Sequence, residues 1–193
     1  GVHKEIKPKL VNRIGDTHGF DVGRIVSGFV RFNLKACLDQ LITIRYSEDL
    51  KDGLVGHNVA NETSENYLDH YIMNGDARNI HQADFTYKAF RYFQIENYPL
   101  NISEDDVTVI FASTKVEAKG LLRSHSYPLI NQLFESSINT HLNNIQGMLV
   151  DCPHREQAQY LGDSDLQLEN LIYNFSHCEE ITEKVLTDFM DAQ

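Results

Sequence analysis

Asp151-Cys152-Pro153-His154-Arg155-Glu156-Gln157-Ala158-Gln159-Tyr160-Leu161-Gly162-Asp163 is the stretch from which the rest of the chain is read. Three carboxylates and the guanidinium of Arg155 fall within its thirteen residues. Pro153 cannot sit inside a helix and Gly162 favours a turn, so the run reads as a loop between helix-like segments. Charge at this density has two explanations. One is a solvated loop with helix caps and a local ion pair. The other is a pocket that grips a polyhydroxylated ligand: carboxylates accept from hydroxyls, and an arginine fork donates to oxygens.

Working outward, the chain changes its period. In the upstream part, Gly28-Phe29-Val30-Arg31-Phe32-Asn33-Leu34 alternates apolar and polar residues, and Gln40-Leu41-Ile42-Thr43-Ile44-Arg45-Tyr46 follows. Residues 67–73 end at the turn signal Asn74-Gly75-Asp76, and residues 85–87, 90–95 and 106–112 continue the pattern. Short strands at this spacing predict an antiparallel β-sandwich. The aromatics of the 85–98 strand, Phe90 and Tyr92 among them, are expected in its core. From about 124, Leu129, Ile130, Leu133, Phe134, Ile138, Leu142 and Ile145 recur at intervals suited to one helix face, with Gly147 as the stop. Asp163 or Ser164 is the expected cap of a second helix carrying Leu166, Leu168, Leu171, Ile172 and Phe175. A break at 177–179 precedes a third helix with Ile181, Val185, Leu186 and Phe189.

Two stretches also resemble a known family. The run from Asp151 to Glu156, followed by Gly162-Asp163, is similar to the Asp-Cys-Pro-x-Arg-(Asp/Glu)-Glu…Gly-Trp-x-Gly-Asp segment of the inverting α-L-rhamnosidases. Phe85-Thr86-Tyr87-Lys88-Ala89-Phe90-Arg91-Tyr92-Phe93-Gln94-Ile95-Glu96-Asn97-Tyr98-Pro99 resembles that family's Phe-x-Tyr-x-Gly-Phe-Arg-Tyr-x-x-(Val/Ile)-x-Gly-Tyr-Pro strand. Both stand in family order, within a resemblance covering residues 17–193. It implies a mixed fold, β then α. An antiparallel β-sandwich would occupy 1–115, and the first helices of an (α/α)6 barrel would occupy 116–193. A closed barrel needs many more helices, so the resemblance implies a fragment or a truncated relic. Helices with apolar faces left uncovered invite self-association.

The implied activity is removal of terminal α-L-rhamnose from a glycoside with inversion, with no organic cofactor. Inversion needs one carboxylic acid to protonate the leaving oxygen and a carboxylate base roughly 6.5–9.5 Å away to activate water. Glu156 matches the family's general acid, seven positions before Asp163. Asp151, Arg155 and Asp163 match residues of the sugar subsite, although Asp151 lies one position nearer Glu156 than in many relatives. Tyr160 stands where the family usually has tryptophan; it can stack on the sugar or pack between helices. The family's general base lies beyond Gln193, so the isolated chain is expected to be inactive.

Composition bounds the alternatives. At 193 residues, with 41% hydrophobic and 23% charged residues, the chain is long and apolar enough to fold. A net charge of -11 argues against nucleic acid and anionic membrane surfaces as partners, and there is no long apolar run to span a bilayer. The expected partner is a carbohydrate. Cys37, Cys152 and Cys178 are few, odd in number and widely spaced, which predicts reduced thiols. Together with an N-terminus lacking a signal-like apolar core, this gives a cytoplasmic expectation, unless a leader precedes Gly1. Asn61-Glu62-Thr63, Asn101-Ile102-Ser103 and Asn174-Phe175-Ser176 fit the glycosylation pattern. Cys152, His154, His177 and Cys178 match no zinc spacing, and Gly15, Gly19 and Gly23 lack a strand–helix context for phosphate, so no metal is assigned. Two further readings stay open: a non-catalytic carbohydrate-binding or structural β-sandwich module with a degenerate barrel remnant, and a glycosidase of another specificity.

Overall fold

The computed structural model describes residues 2–55, 58–59, 62–63, 67–75 and 80–193. Asn61 of the first glycosylation triplet and Asp76 of the turn signal lie outside them. The chain divides into two compact units, His3–Ala112 and Ser113–Gln193, the latter together with the first two residues. The order is the expected one, antiparallel β followed by α.

The strands are β1 (Val2–Ile6), β2 (Lys9–Ile14), β3 (Thr17–Phe32), β4 (Leu38–Ser47), β5 (Leu50–Lys51), β6 (Leu54–Val55), β7 (Asn58–Val59), β8 (Glu62–Thr63), β9 (Leu68–Asn74), β10 (Lys88–Glu96) and β11 (Val107–Ser113). Seven of them form one sheet, in the order β1-β11-β3-β10-β4-β9 with β2 also on β3. The long strand β3 organises it. Its first residues pair with β2, its last residues pair with β11, and its other edge pairs with β10, all antiparallel. Gly28 lies where β3 meets β11 most closely. A Cβ there would stand 1.9 Å from the Ile110 carbonyl oxygen, so only glycine fits.

The strand expected at 85–87 is absent. β10 begins at Lys88, opposite Gly28, and Phe85 is fully exposed. Beyond that point the edge of β3 is already taken, because Phe32 and His81 exchange both backbone hydrogen bonds at 2.9 Å. Phe90 and Phe93 are both fully buried, although three residues apart in a strand they should face opposite ways. A bulge between Phe90 and Tyr92 shifts the register and turns both rings inward. Phe93 then stacks on Phe20 at 4.9 Å, and Phe90 packs on Tyr46 at 4.8 Å. Tyr92 is only half-buried. The hairpin β5–β6 closes over this sheet, where the buried Val55 donates its N–H to Gln94 Oε1 at 2.9 Å.

The helical unit contains α1 (Pro128–Asn144), α2 (Leu161–Asn174) and α3 (Glu179–Asp191). A short ladder joins β12 (Glu117–Ala118) to β13 (Phe175–Ser176). Its core gathers Val116, Ile145, Leu149, Leu171, Phe175, Cys178, Ile181 and Val185, with Ile138, Leu142, Leu168 and Phe189 packed against them. Only the second half of the apolar face read for α1 reaches this core; Leu129 and Leu133 are 64% and 62% exposed. Leu166, Ile172 and Leu186 likewise face outward. The helix α1 ends at Asn144, and Gly147, with φ 78°, turns the chain so that Ile145 bridges Leu149. The cap expected at Asp163 or Ser164 is a correction: α2 starts at Leu161, with Tyr160 at the cap position, three residues before Asp163, and no side-chain cap bond. Leu161, Gly162 and Asp163 thus form its first turn, where an aspartate suits the positive end of the helix dipole.

Candidate active site

The loop between Leu149 and α2 is stitched to itself. Asp151 donates its N–H to the Ala158 carbonyl at 2.9 Å, and Ala158 donates its own N–H back to Asp151 Oδ1 at 3.1 Å. Inside this clasp Gln157 donates to the Cys152 carbonyl at 3.2 Å and through its side chain to the Pro153 carbonyl at 2.9 Å. Gln157 takes the left-handed conformation, φ 51°, to close the turn. The half-buried Cys152 sulfur accepts the Glu156 N–H at 3.5 Å.

This folding brings four of the five expected residues together. The Glu156 carboxyl pairs with the Arg155 guanidinium, and the two side chains are 33% and 40% exposed, open to an incoming ligand. Asp151 lies against the same carboxyl. Burial pushes its proton affinity up, but hydrogen bonds from Cys152 and from the backbone of Cys152 and Ala158, together with one shared with Glu156, outweigh it and leave Asp151 below the ordinary carboxylate range. Tyr160 completes the group. The Glu156 charge and a hydrogen bond to it raise the tyrosine hydroxyl above its usual value. Tyr160 is exposed, not wedged between helices, which leaves its ring face free. Asp163 stays apart: it is exposed on the first turn of α2, and among the described residues no hydrogen bond or ion pair joins it to Glu156. Asp165 and Glu169, farther along α2, face solvent.

The comparisons with known proteins follow the same division of the chain. Residues 13–113 match the bacterial alpha-L-rhamnosidase concanavalin-like domain, and residues 119–193 match the bacterial alpha-L-rhamnosidase 6 hairpin glycosidase domain. The chain belongs to the bacterial α-L-rhamnosidase family. An alpha-L-rhamnosidase of Formosa agariphila is 28% identical over 159 residues, which are 80% of this chain and 17% of that protein. The structure of the alpha-L-rhamnosidase from Dictyoglumus thermophilum superposes with a TM-score of 0.87 at 29% identity, over 98% of this chain and 22% of that one. The Streptomyces avermitilis alpha-L-rhamnosidase, crystallised with L-rhamnose, shares the fold with a TM-score of 0.83 at 22% identity, over 98% and 18%. This rhamnosidase-family chain therefore spans about a fifth of the length of those relatives.

Two residues that sequence reading passed over hold the loop from below. Gln167 of α2 donates to the Val150 carbonyl at 3.0 Å, and Asn144 of α1 donates to the Asp151 carbonyl at 3.5 Å. The available signal was position: Gln167 falls on the same helix face as Leu168 and Leu171, where an apolar residue is expected.

Proposed function

We propose that this chain supplies the acid half of an inverting α-L-rhamnosidase, with Glu156 as general acid. The observation that supports this most directly is the Asp151–Glu156–Arg155–Tyr160 group on a self-clasped, solvent-facing loop. Asp151 is the carboxyl held below the ordinary range by its partners, and Glu156, partly exposed beside Arg155, is the carboxyl open to a leaving oxygen. Asp151 cannot double as the base. It sits against Glu156, whereas an inverting base needs roughly 6.5–9.5 Å of separation to admit a water. The base is assigned to a later part of the parent polypeptide.

In this reading Arg155 and ionised Asp151 offer a donor fork and an acceptor to the sugar hydroxyls. Tyr160 offers a ring face to its apolar side. Asp163 is a further acceptor at the rim, on the first turn of α2. The relatives, α-L-rhamnosidases by name, supply the sugar: a terminal α-L-rhamnose. The test is rhamnose release from an aryl α-L-rhamnoside by the full-length gene product, with the first-formed anomer followed by NMR. Release with inverted configuration supports the proposal. A folded full-length product that binds L-rhamnose but releases none would favour the carbohydrate-binding module instead.

A further inference from the structure

The inner faces of α1 and α2 carry polar side chains where packing alone would favour apolar ones. His141 and Asn144 of α1 and Gln167 of α2, with the exposed Ser137, Thr140 and Asn170, line a cleft of about 260 Å³. His141 Nδ1, Asn144 Oδ1, Ser164 Oγ and Gln167 Oε1 are buried without a hydrogen-bond partner. Buried polar atoms are nearly always paired, and one left unpaired costs about 1–3 kcal/mol. A leucine at 167 would continue the run of Leu168 and Leu171 at no such cost. What the glutamine does is done by its other end, the Nε2 that reaches the Val150 carbonyl.

That carbonyl is one of several grips on two residues. Val150 is 1% exposed and donates its N–H to the Asn144 carbonyl at 3.0 Å. Its own carbonyl takes Gln167 Nε2, and the next carbonyl, of Asp151, takes Asn144 Nδ2. The same Asp151 then clasps Ala158 through both its backbone and its carboxylate. With Val150 fixed to two helices, the Asp151 carboxylate has one place to stand, and the Ala158 bond closes the loop around Glu156. Released from Gln167, the 150–151 peptide is free to turn, and the clasp loses its anchor.

We propose that Gln167, aided by Asn144, is a positioning residue that sets the Asp151–Ala158 clasp and, through it, the Glu156 carboxyl. The link to catalysis rests on the rhamnosidase reading above; the link to the clasp does not.

The experiment uses the whole 193-residue chain, labelled with ¹³C and ¹⁵N. Gln167→Met keeps length and removes the donor; Gln167→Asn keeps the amide but falls short of Val150, and serves if the first variant does not fold. Three quantities are read in variants that keep a folded NMR spectrum. In a positioning role, the Asp151 carboxyl titrates at a higher pH than in wild type. Amide exchange at Asp151 and Ala158 speeds up tenfold or more, while exchange within α3 is unchanged. L-rhamnose affinity falls about tenfold. Unchanged titration and exchange in both variants would overturn the proposal. A moved titration in a chain whose wild type binds no L-rhamnose would uphold the positioning and count against the sugar reading alone.

Discussion

At the residue scale, Asp151 is the carboxyl whose charge the fold favours. Asp151 is held below the ordinary carboxylate range in the folded chain, so it binds protons less readily there than when unfolded. Its contribution to stability is present above its unfolded value and is lost as pH falls through the native one. Resistance to urea should therefore weaken on acidification, and Asp151→Asn should remove part of that slope. His141 has the same sign by another route. Burial lowers its ring below the usual 6.5, so the unfolded chain takes up a proton that the folded chain refuses. Stability is full above that value and declines as pH falls beneath it; His141→Leu should shrink the difference between about pH 7.5 and about pH 5.5. The acidic and basic residues of the signature were legible as a candidate site because their types and order set them apart from a plain loop. Their partners were not. Nothing in Gln157 announces a left-handed turn, and nothing in Ala158 announces that its N–H holds Asp151.

At the element scale, period decided what could be read. The apolar alternation at 28–34 belongs to the second half of β3, and its continuation back to Thr17 was hidden because both faces of that stretch are buried and alternation fades. The core aromatics of β10 were legible as core. The bulge that puts Phe90 and Phe93 on one side was not, because it arises from pairing with β3 and has no local signature. Gly28 gives the element its sharpest test. Gly28→Ala should cost about 1–3 kcal/mol or more, since a methyl group meets the Ile110 carbonyl and β3 must move off β11. That is a fall in Tm of about 2–4 °C per kcal/mol, measurable by calorimetry. Unchanged stability would mean that the two strands are not so closely paired. In α1 the periodicity announced a helix correctly, but amphipathicity says nothing about what covers the face. Its first turns leave Leu129 and Leu133 exposed while Ile138 and Leu142 pack.

At the scale of the whole molecule, exposed Leu129, Leu133, Leu166, Leu186 and Met190 put apolar surface on all three helices. The isolated chain is expected to associate with itself, and sedimentation should show its mass rising with concentration. Leu129 and Leu133 lie one turn apart on α1, so charging both, as Leu129→Glu with Leu133→Lys, should shift the chain toward monomer. Monomer at every concentration in the wild type would contradict this. The passage from strands to helices was plain in the change of period. The family was readable because a short, order-dependent signature survives where relatives such as those of Formosa agariphila and Dictyoglumus thermophilum share under a third of their residues with this chain.

If Glu156 delivers the proton to the leaving oxygen, its loss is felt only where that oxygen needs a proton to depart. The full-length product and its Glu156→Gln variant would be compared on two rhamnosides. One carries an alcohol that must be protonated to depart; the other carries a dinitrophenolate that departs unaided. With Glu156 as the acid, kcat/KM falls about 10²–10⁴-fold on the first and far less on the second. Equal losses on both, or none on either, would contradict that role.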